Sequence, residues 1–239
     1  YISSNDGFTL ADVYSYDRKH NEANGENNRD GANYNLSWNC GVEGPTKRRK
    51  VVELRNLLMR DAITFVMCAQ GIPLIYAGDE FGNSQGGNNN AYCQDNDTGW
   101  VDWNALNRNH RFYDFVRTMI DFRKHHACLH MADEAGLTDY KYYGLPDVSY
   151  HGVKAWYPEL EHYSRQAGIM YCGQYAGDEN NLYIAFNMHW EPHELALPNI
   201  SGRSWRAVLT TGTEELPDAS QINKARTVSV PARTIIILE

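Results

Sequence analysis

The pattern of apolar positions predicts two amphipathic helices in the first half of the chain. Between Thr46 and Gly71, apolar residues recur at steps of mostly three and four, which places them on one helix face. They are Val51, Leu54, Leu58, Ala62, Phe65, Val66 and Ala69. The same periodicity predicts a second helix from Arg111 to His125. Its apolar side is formed by Phe112, Phe115, Val116, Met119 and Phe122.

A short apolar run lies between these two helices. Residues Ile72–Gly78 are continuously apolar rather than alternating, which favours a parallel strand buried on both faces. Residues Tyr1–Ser4 are compatible with the end of another strand. Helix, buried strand, loop and helix together indicate a fragment of an alternating β/α fold.

The second half of the chain, from Ala127, has a different pattern. Short segments rich in β-branched and aromatic residues are separated by Pro and Gly, which is typical of a small antiparallel β-sandwich. The segments are 181–187, 205–209, 228–230 and 235–238.

Composition and charge argue against several classes of function for this chain. With 30 acidic and 22 basic residues the net charge is −8, which argues against a nucleic-acid or anionic-membrane surface. An apolar fraction of 42% is enough for a packed core. No apolar run reaches 18 residues, so we expect no transmembrane helix.

The cysteines and histidines predict neither a disulfide framework nor a metal site. The five cysteines are scattered without a CxxC pair, which favours a reducing compartment, and we expect the cytoplasm. His125–His126 and Asp95/Asp97 lack the ligand spacing of zinc or calcium sites, and we expect no cofactor. Because the chain starts with Tyr1, we expect its true N-terminus to lie upstream.

Four polar segments of the first half are candidates for chemistry. Asn5–Gly7 is either a turn or a holder of sugar hydroxyls, and residues 19–31 form either a solvated or a functional loop. Asp79 and Glu80 follow the predicted strand, where they are either active-site carboxylates or structural partners. Residues 87–96 combine amides with aromatics, which suits a sugar-facing loop and equally a plain surface loop.

These segments resemble isoamylase-type glycogen debranching enzymes of glycoside hydrolase family 13, the α-amylase superfamily. The resemblance rests on four motifs in the family's order and extends into the second half at Trp156–Pro158 and Asn187–Pro192. The four motifs are Lys19–Gly31, Trp38–Gly44, Ala77–Gly82 and Gly87–Asn96.

The resemblance implies an α+β chain with the last strands and helices of a (β/α)8 TIM barrel followed by a C-terminal antiparallel β-sandwich. We expect residues 1–126 to form the C-terminal part of the catalytic barrel and residues 127–239 the sandwich. A whole barrel needs about 250 residues, so six strands are expected upstream.

The resemblance also implies the site residues. Retaining hydrolysis needs a nucleophile and an acid/base about 5 Å apart, and the family supplies both from strands upstream of this chain. Asp6 resembles the third catalytic carboxylate, while Asn5 stands where the family usually has His. Asp79 and Glu80 match a mainly structural motif. The expected substrate-binding residues are Asn5, Lys19, His20, Asn24 and Tyr92.

The expected function is therefore that of the C-terminal portion of a hydrolase that cleaves α-1,6 branch points of glycogen or related α-glucans. The chain alone is expected to be inactive. The alternatives are an α-glucan-binding module without hydrolysis and an α-1,4-specific member of the same superfamily. The expected partners are a branched α-glucan and the missing N-terminal part of the protein, or a second copy of the chain, with no nucleic acid and no membrane.

Overall fold

The computed structural model describes residues 1–213 and 215–239, which separate into two compact units. The first, here called the loop unit, comprises Tyr1–Met67 and Ile72–Asp121. The second, here called the sheet unit, comprises Cys68–Gly71 and Phe122–Glu239.

Helices and long loops build the first half of the chain. The helices are α1 (Leu10–Val13), α2 (Arg49–Cys68), α3 (Asn104–Arg108) and α4 (His110–His125). Single 3-10 turns cover Glu22–Asn24, Asp79–Phe81 and Ala91–Cys93. Both long helices predicted from the apolar periodicity are confirmed, since α2 and α4 bury Leu58, Val66, Phe112 and Val116. Two members of the predicted α2 face, Phe65 and Ala69, are exposed instead.

The strand predicted at Ile72–Gly78 is wrong, and so is the strand end at Tyr1–Ser4. Within the described part of the chain, neither segment is hydrogen-bonded into a sheet. Ile72 is 98% exposed and Leu74 is 48% exposed, so the segment is not buried on both faces either. A strand is defined by its neighbours, and these extended segments find no partner strand among the described residues.

The sheet unit contains two antiparallel sheets. Its strands are β1 (Val148–His151), β2 (Gln166–Tyr171), β3 (Leu182–Asn187), β4 (His193–Ala196), β5 (Ala207–Thr210), β6 (Thr227–Val230) and β7 (Thr234–Leu238). One sheet has the order β1-β2-β3-β7-β5, and β4 pairs with β6 in the other. Helix α5 (Ala219–Ala225) precedes β6, and 3-10 turns cover Ala127–Leu129 and Gly173–Tyr175.

The two sheets share one apolar core. Buried side chains from both sheets form a single cluster in which Tyr183, Leu195, Val230 and Ile236 are central. The antiparallel sheets and the α+β class predicted from the sequence are thereby confirmed. The four segments predicted as strands correspond to β3, β5, β6 and β7.

One close approach in this core requires a glycine. A Cβ built on Gly168 of β2 would lie 1.9 Å from the Tyr183 hydroxyl oxygen. Tyr183 is fully buried, and its hydroxyl donates a hydrogen bond to the Ala196 carbonyl at 2.9 Å. The aromatic ring therefore occupies the space that any other residue at position 168 would need.

None of the helices in residues 1–213 and 215–239 has the length and apolar character needed to cross a membrane.

Candidate functional site

Two polar loops of the loop unit interlock through their amide side chains. The first polar loop comprises residues 19–31 and the second comprises residues 87–96. Asn21 donates through Nδ2 to Asn89 Oδ1 at 2.9 Å, and the Asn89 backbone N–H donates to Asn21 Oδ1 at 3.0 Å. Because both side chains are buried, these amide pairs satisfy groups that would otherwise lack water.

Asn24 lies at the centre of this arrangement. Its Nδ2 donates to Asp30 Oδ2 at 2.6 Å and to the Asn90 carbonyl at 2.9 Å. Its Oδ1 accepts from Asn88 Nδ2 at 2.8 Å and from Gln94 Nε2 at 2.7 Å. An asparagine amide has two donor and two acceptor positions, so Asn24 is fully engaged in joining the loops.

Lys19 is also engaged within the protein. Its side chain is buried, and Nζ donates to the Asp30 carbonyl at 2.5 Å and to the Gly31 carbonyl at 3.4 Å. The ammonium thus closes the first polar loop on itself, and Asp30 brings Lys19 and Asn24 together.

His20 faces solvent at the beginning of the same loop. Its Nε2 lies 3.1 Å from Glu43 Oε1, and its backbone N–H donates to the Gly87 carbonyl at 2.7 Å. Partial burial opposes the ionisation of Glu43, but hydrogen bonds from Asp17 N–H at 2.9 Å and from Asn39 lower its pKa to about 2. A permanent carboxylate therefore orients the imidazole.

Asp6 and Asn5 lie on a separate, exposed segment. Among residues 1–213 and 215–239, none donates a hydrogen bond to the Asp6 carboxylate, whose own backbone N–H donates to Ser4 Oγ at 3.3 Å. No hydrogen bond joins this described segment to Lys19, His20, Asn24 or Tyr92. The structure therefore brings the loop residues together but leaves Asp6 and Asn5 outside that network.

Asp79 fixes the Asp6 segment from both sides. Its carboxylate accepts from the Ser3 hydroxyl and from the Leu10 backbone N–H, the latter at 2.8 Å. Burial raises the pKa of Asp79 to about 6, although these hydrogen bonds oppose the shift. Glu80 turns back to accept from Gly78 N–H at 2.9 Å, so both carboxylates have structural partners, as the resemblance implied.

A second buried carboxylate, Asp12, was not singled out by the sequence. It accepts from Gln85 N–H at 2.8 Å and from Gly87 N–H at 3.3 Å, so it holds the start of the second polar loop. Burial raises the pKa of Asp12 against the effect of these bonds. The available signal was a lone charge within the otherwise apolar α1 segment.

Aromatic side chains project from the second polar loop and the residues after it. Tyr92 is 72% exposed, and Trp100 and Trp103 are exposed as well. The Trp100 indole N–H donates to Asp95 Oδ1 at 3.0 Å, and the Trp103 ring lies 5.8 Å from that of Phe81. Such faces suit the apolar side of a sugar ring. No group of three or more His, Cys, Asp or Glu side chains within the described residues could hold a metal ion.

Comparisons with known proteins agree with the resemblance. The family described as "Isoamylase 1-3, C-terminal" matches residues 149–232. The glycogen operon protein GlgX homolog of Mycobacterium bovis is 35% identical over 261 residues, covering 100% of this chain and 35% of the relative. Isoamylase SU1 of Zea mays is 37% identical, covering 90% of this chain and 26% of the relative.

A solved structure shares the fold. The type I pullulanase from Bacillus subtilis, complexed with maltose, superposes with a TM-score of 0.65 at 19% identity and covers 100% of this chain and 26% of the pullulanase. This chain spans about a third of the length of the curated relatives that it matches first. Residues 149–232 match the isoamylase C-terminal family, and the similarity of the whole chain to isoamylase-type glycogen debranching enzymes is confirmed.

Proposed function

We propose that this chain is part of a retaining glycoside hydrolase that cleaves α-1,6 branch points of glycogen or a related α-glucan. The observation that carries the proposal is the exposed Asp6 carboxylate on a segment that Asp79 holds at Ser3 and Leu10. A carboxylate without a protein partner on a fixed backbone is preorganised to meet a ligand. The names of the relatives supply the substrate class.

In this mechanism Asp6 accepts hydrogen bonds from substrate hydroxyls and stabilises positive charge in an oxocarbenium-like transition state. The nucleophile and the acid/base must lie about 5 Å apart on opposite sides of the scissile bond. We propose that both come from upstream strands of the same protein. The chain alone is therefore inactive, and release of reducing sugar from pullulan by the purified chain would contradict this.

The remaining candidate residues either contact substrate or position the two polar loops. Asn5, His20 and Tyr92 are exposed, and we assign them to direct contacts with substrate. Lys19 and Asn24 use their hydrogen bonds inside the protein, so they act by positioning the loops that carry His20 and Tyr92. Asn5 can hydrogen-bond a sugar hydroxyl but carries no charge.

We also propose that residues 1–126 complete a (β/α)8 barrel with upstream sequence and that residues 127–239 form the sandwich domain. The segment Ile72–Gly78 is one that upstream sequence would cover. Its exposed Ile72 and Leu74 side chains support this, because soluble proteins seldom leave adjacent apolar residues uncovered. The upstream part of the protein, or a second copy of the chain, covers them.

The cellular location is proposed on the state of the cysteines. Cys40, Cys68, Cys93, Cys128 and Cys172 are all free thiols. Free thiols are typical of a reducing compartment such as the cytoplasm.

The decisive test uses the longer protein that contains this chain. Asp6→Asn is expected to lower kcat on pullulan by about 100-fold or more, because one stabilising group of the transition state is lost. Asp97→Asn is the matched control, since Asp97 is likewise an exposed carboxylate. Equal activity of the Asp6→Asn variant and the wild type would overturn the assignment of Asp6.

A further inference from the structure

A cavity of about 330 Å³ opens on the sheet unit. Its wall includes Tyr140, Lys141 and Tyr175, with Asp133, Glu134 and Asp147 around them. The volume falls within the range of small-molecule sites. The cavity belongs to one unit, because all its lining residues lie between Ala127 and Ala176.

A buried carboxylate fixes one wall of the cavity. Asp147 is 1% exposed and accepts from the backbone N–H groups of Gly136 at 2.7 Å, Leu137 at 2.9 Å and Val148 at 2.8 Å. These bonds tie the loop that carries Asp133 and Glu134 to the first residue of β1. The wall is thus held in place before any ligand arrives, which lowers the entropic cost of binding.

The aromatic wall is fixed in the same way. The Tyr175 hydroxyl donates to Asp139 Oδ1 at 2.7 Å or to the Leu145 carbonyl at 3.0 Å. The Tyr140 ring lies 4.8 Å from that of Tyr175 and remains 50% exposed. Lys141 Nζ donates to the Tyr175 carbonyl at 3.3 Å and lies 5.4 Å from the centre of its ring.

We propose that this cavity is a second α-glucan site that binds a short segment of the polymer without cleaving it. This inference rests on the proposed function, which supplies the polymer. A sugar ring offers an apolar C–H face to Tyr140 and hydroxyl groups to the exposed carboxylates of Asp133 and Glu134. The Lys141 ammonium has further donor positions for sugar oxygens.

The residues that line the cavity argue against an anion or a metal ion as its ligand. Asp133, Glu134 and Asp147 outnumber Lys141, so an anion such as phosphate is repelled. The carboxylates do not form a metal-binding group within the described residues. A neutral polyol is the ligand class that can use donors, acceptors and an aromatic face together.

A second attachment point has a clear benefit for an enzyme acting on a branched polymer. Once one chain of the glucan is held at the sheet unit, other branches of the same molecule reach the loop unit at a raised effective concentration. The gain requires no new contact at the reacting bond.

The test measures retardation of the complete 239-residue chain in native gels containing increasing amounts of glycogen. Tyr140→Ala is expected to weaken the apparent affinity for glycogen at least about fivefold, since an aromatic contact is lost. The double variant Asp133→Asn, Glu134→Gln keeps the aromatic wall. It is expected to weaken the apparent affinity for glycogen by a similar factor. Circular dichroism establishes that each variant is folded.

Tyr142→Ala is the matched control, because Tyr142 lies two residues from Tyr140, is 92% exposed and does not line the cavity. It is expected to leave the affinity unchanged. Unchanged affinity of folded Tyr140→Ala and of the double variant would overturn the proposal, as would wild-type migration unaffected by glycogen. Tyr92→Ala distinguishes the two sites. If the apparent affinity for glycogen falls only in that variant, the binding site lies in the loop unit. The activity of Asp6→Asn in the longer protein tests the proposed function independently.

Discussion

At the residue scale, two buried carboxylates organise the loop unit. Within the described residues, Asp79 and Asp12 accept hydrogen bonds from backbone N–H and hydroxyl groups rather than from positively charged side chains. Burial raises the pKa of each. Ionised carboxylates in such places are costly, so these residues serve to connect segments rather than to stabilise the fold at neutral pH.

Asp79→Asn is expected to change how stability depends on pH. The pKa of Asp79 is about 6 in the folded chain, against 3.8 for an exposed aspartate as in the unfolded chain, so folding favours its protonated form. The contribution of protonated Asp79 to the stability of the fold is complete below about pH 4 and is lost as the pH rises to about 6. Between pH 4 and pH 6.5, the free energy of unfolding of Asp79→Asn should therefore rise by about 2–3 kcal/mol relative to that of the wild type.

Urea unfolding at a series of pH values measures this difference. Asp97→Asn, at an exposed position, is the control and should show no such trend. A constant difference between Asp79→Asn and the wild type over this pH range would contradict the raised pKa.

At the element scale, the sequence predicts those elements whose pattern is complete within themselves. Helices α2 and α4 satisfy their backbone groups internally, so their apolar periodicity was sufficient. The segments of β3 and β7 are rich in β-branched and aromatic residues, whereas β1, β2 and β4 contain polar residues or glycine, such as Ser149, Gly168 and Glu194, and are not predicted. The strand prediction for Ile72–Gly78 is wrong because a strand depends on neighbouring strands that its own residues do not specify.

The candidate site was predictable to a different extent. The residue types of the second polar loop suit either a sugar-facing or a plain surface loop, and those of the first suit a solvated or a functional loop. The number of hydrogen bonds that each amide makes inside the protein depends on the folded loops. Asn24 illustrates this, because nothing in its sequence neighbourhood distinguishes it from Asn27 or Asn33, which are exposed.

Gly168→Ala is the sharpest test of the packing between the two sheets. The added methyl group would collide with the Tyr183 hydroxyl, which is 1.9 Å from the Cβ position and cannot move without breaking its bond to Ala196. A loss of about 2–3 kcal/mol in the free energy of unfolding is expected from such overpacking. Thermal unfolding followed by circular dichroism measures it.

The control for this experiment is Gly7→Ala, because a Cβ at Gly7 meets no atom within 4 Å. That variant should unfold within about 0.5 kcal/mol of the wild type, as surface substitutions usually do. Equal stability of Gly168→Ala and Gly7→Ala would show that the Tyr183 ring is not fixed.

At the scale of the whole molecule, the chain covers about a third of its curated relatives and exposes apolar side chains where a strand was expected. Ile72 and Leu74 are both exposed and lie two positions apart along the chain. An uncovered extended segment with apolar side chains invites pairing with another chain. The net charge of −8 opposes such association but does not act on this segment alone.

The isolated chain is therefore expected to self-associate through this segment. Ile72→Asp combined with Leu74→Asp should shift the mass measured by light scattering towards that of the monomer, 27.3 kDa. Val153→Asp combined with Leu160→Asp adds the same charge at exposed apolar positions of the sheet unit and should leave the mass unchanged. A monomeric wild type, or equal effects of both pairs, would contradict the role of this segment.

The two bonds that Asp79 makes to Ser3 and Leu10 span 76 and 69 positions of the chain. Ribosomes synthesise proteins from the N-terminus, so Ser3 and Leu10 emerge long before their anchor does. The Asp6 carboxylate consequently acquires its fixed backbone late, once Asp79 has left the exit tunnel. Premature termination before Asp79 would yield a product that carries Asp6 and cannot hold it in place.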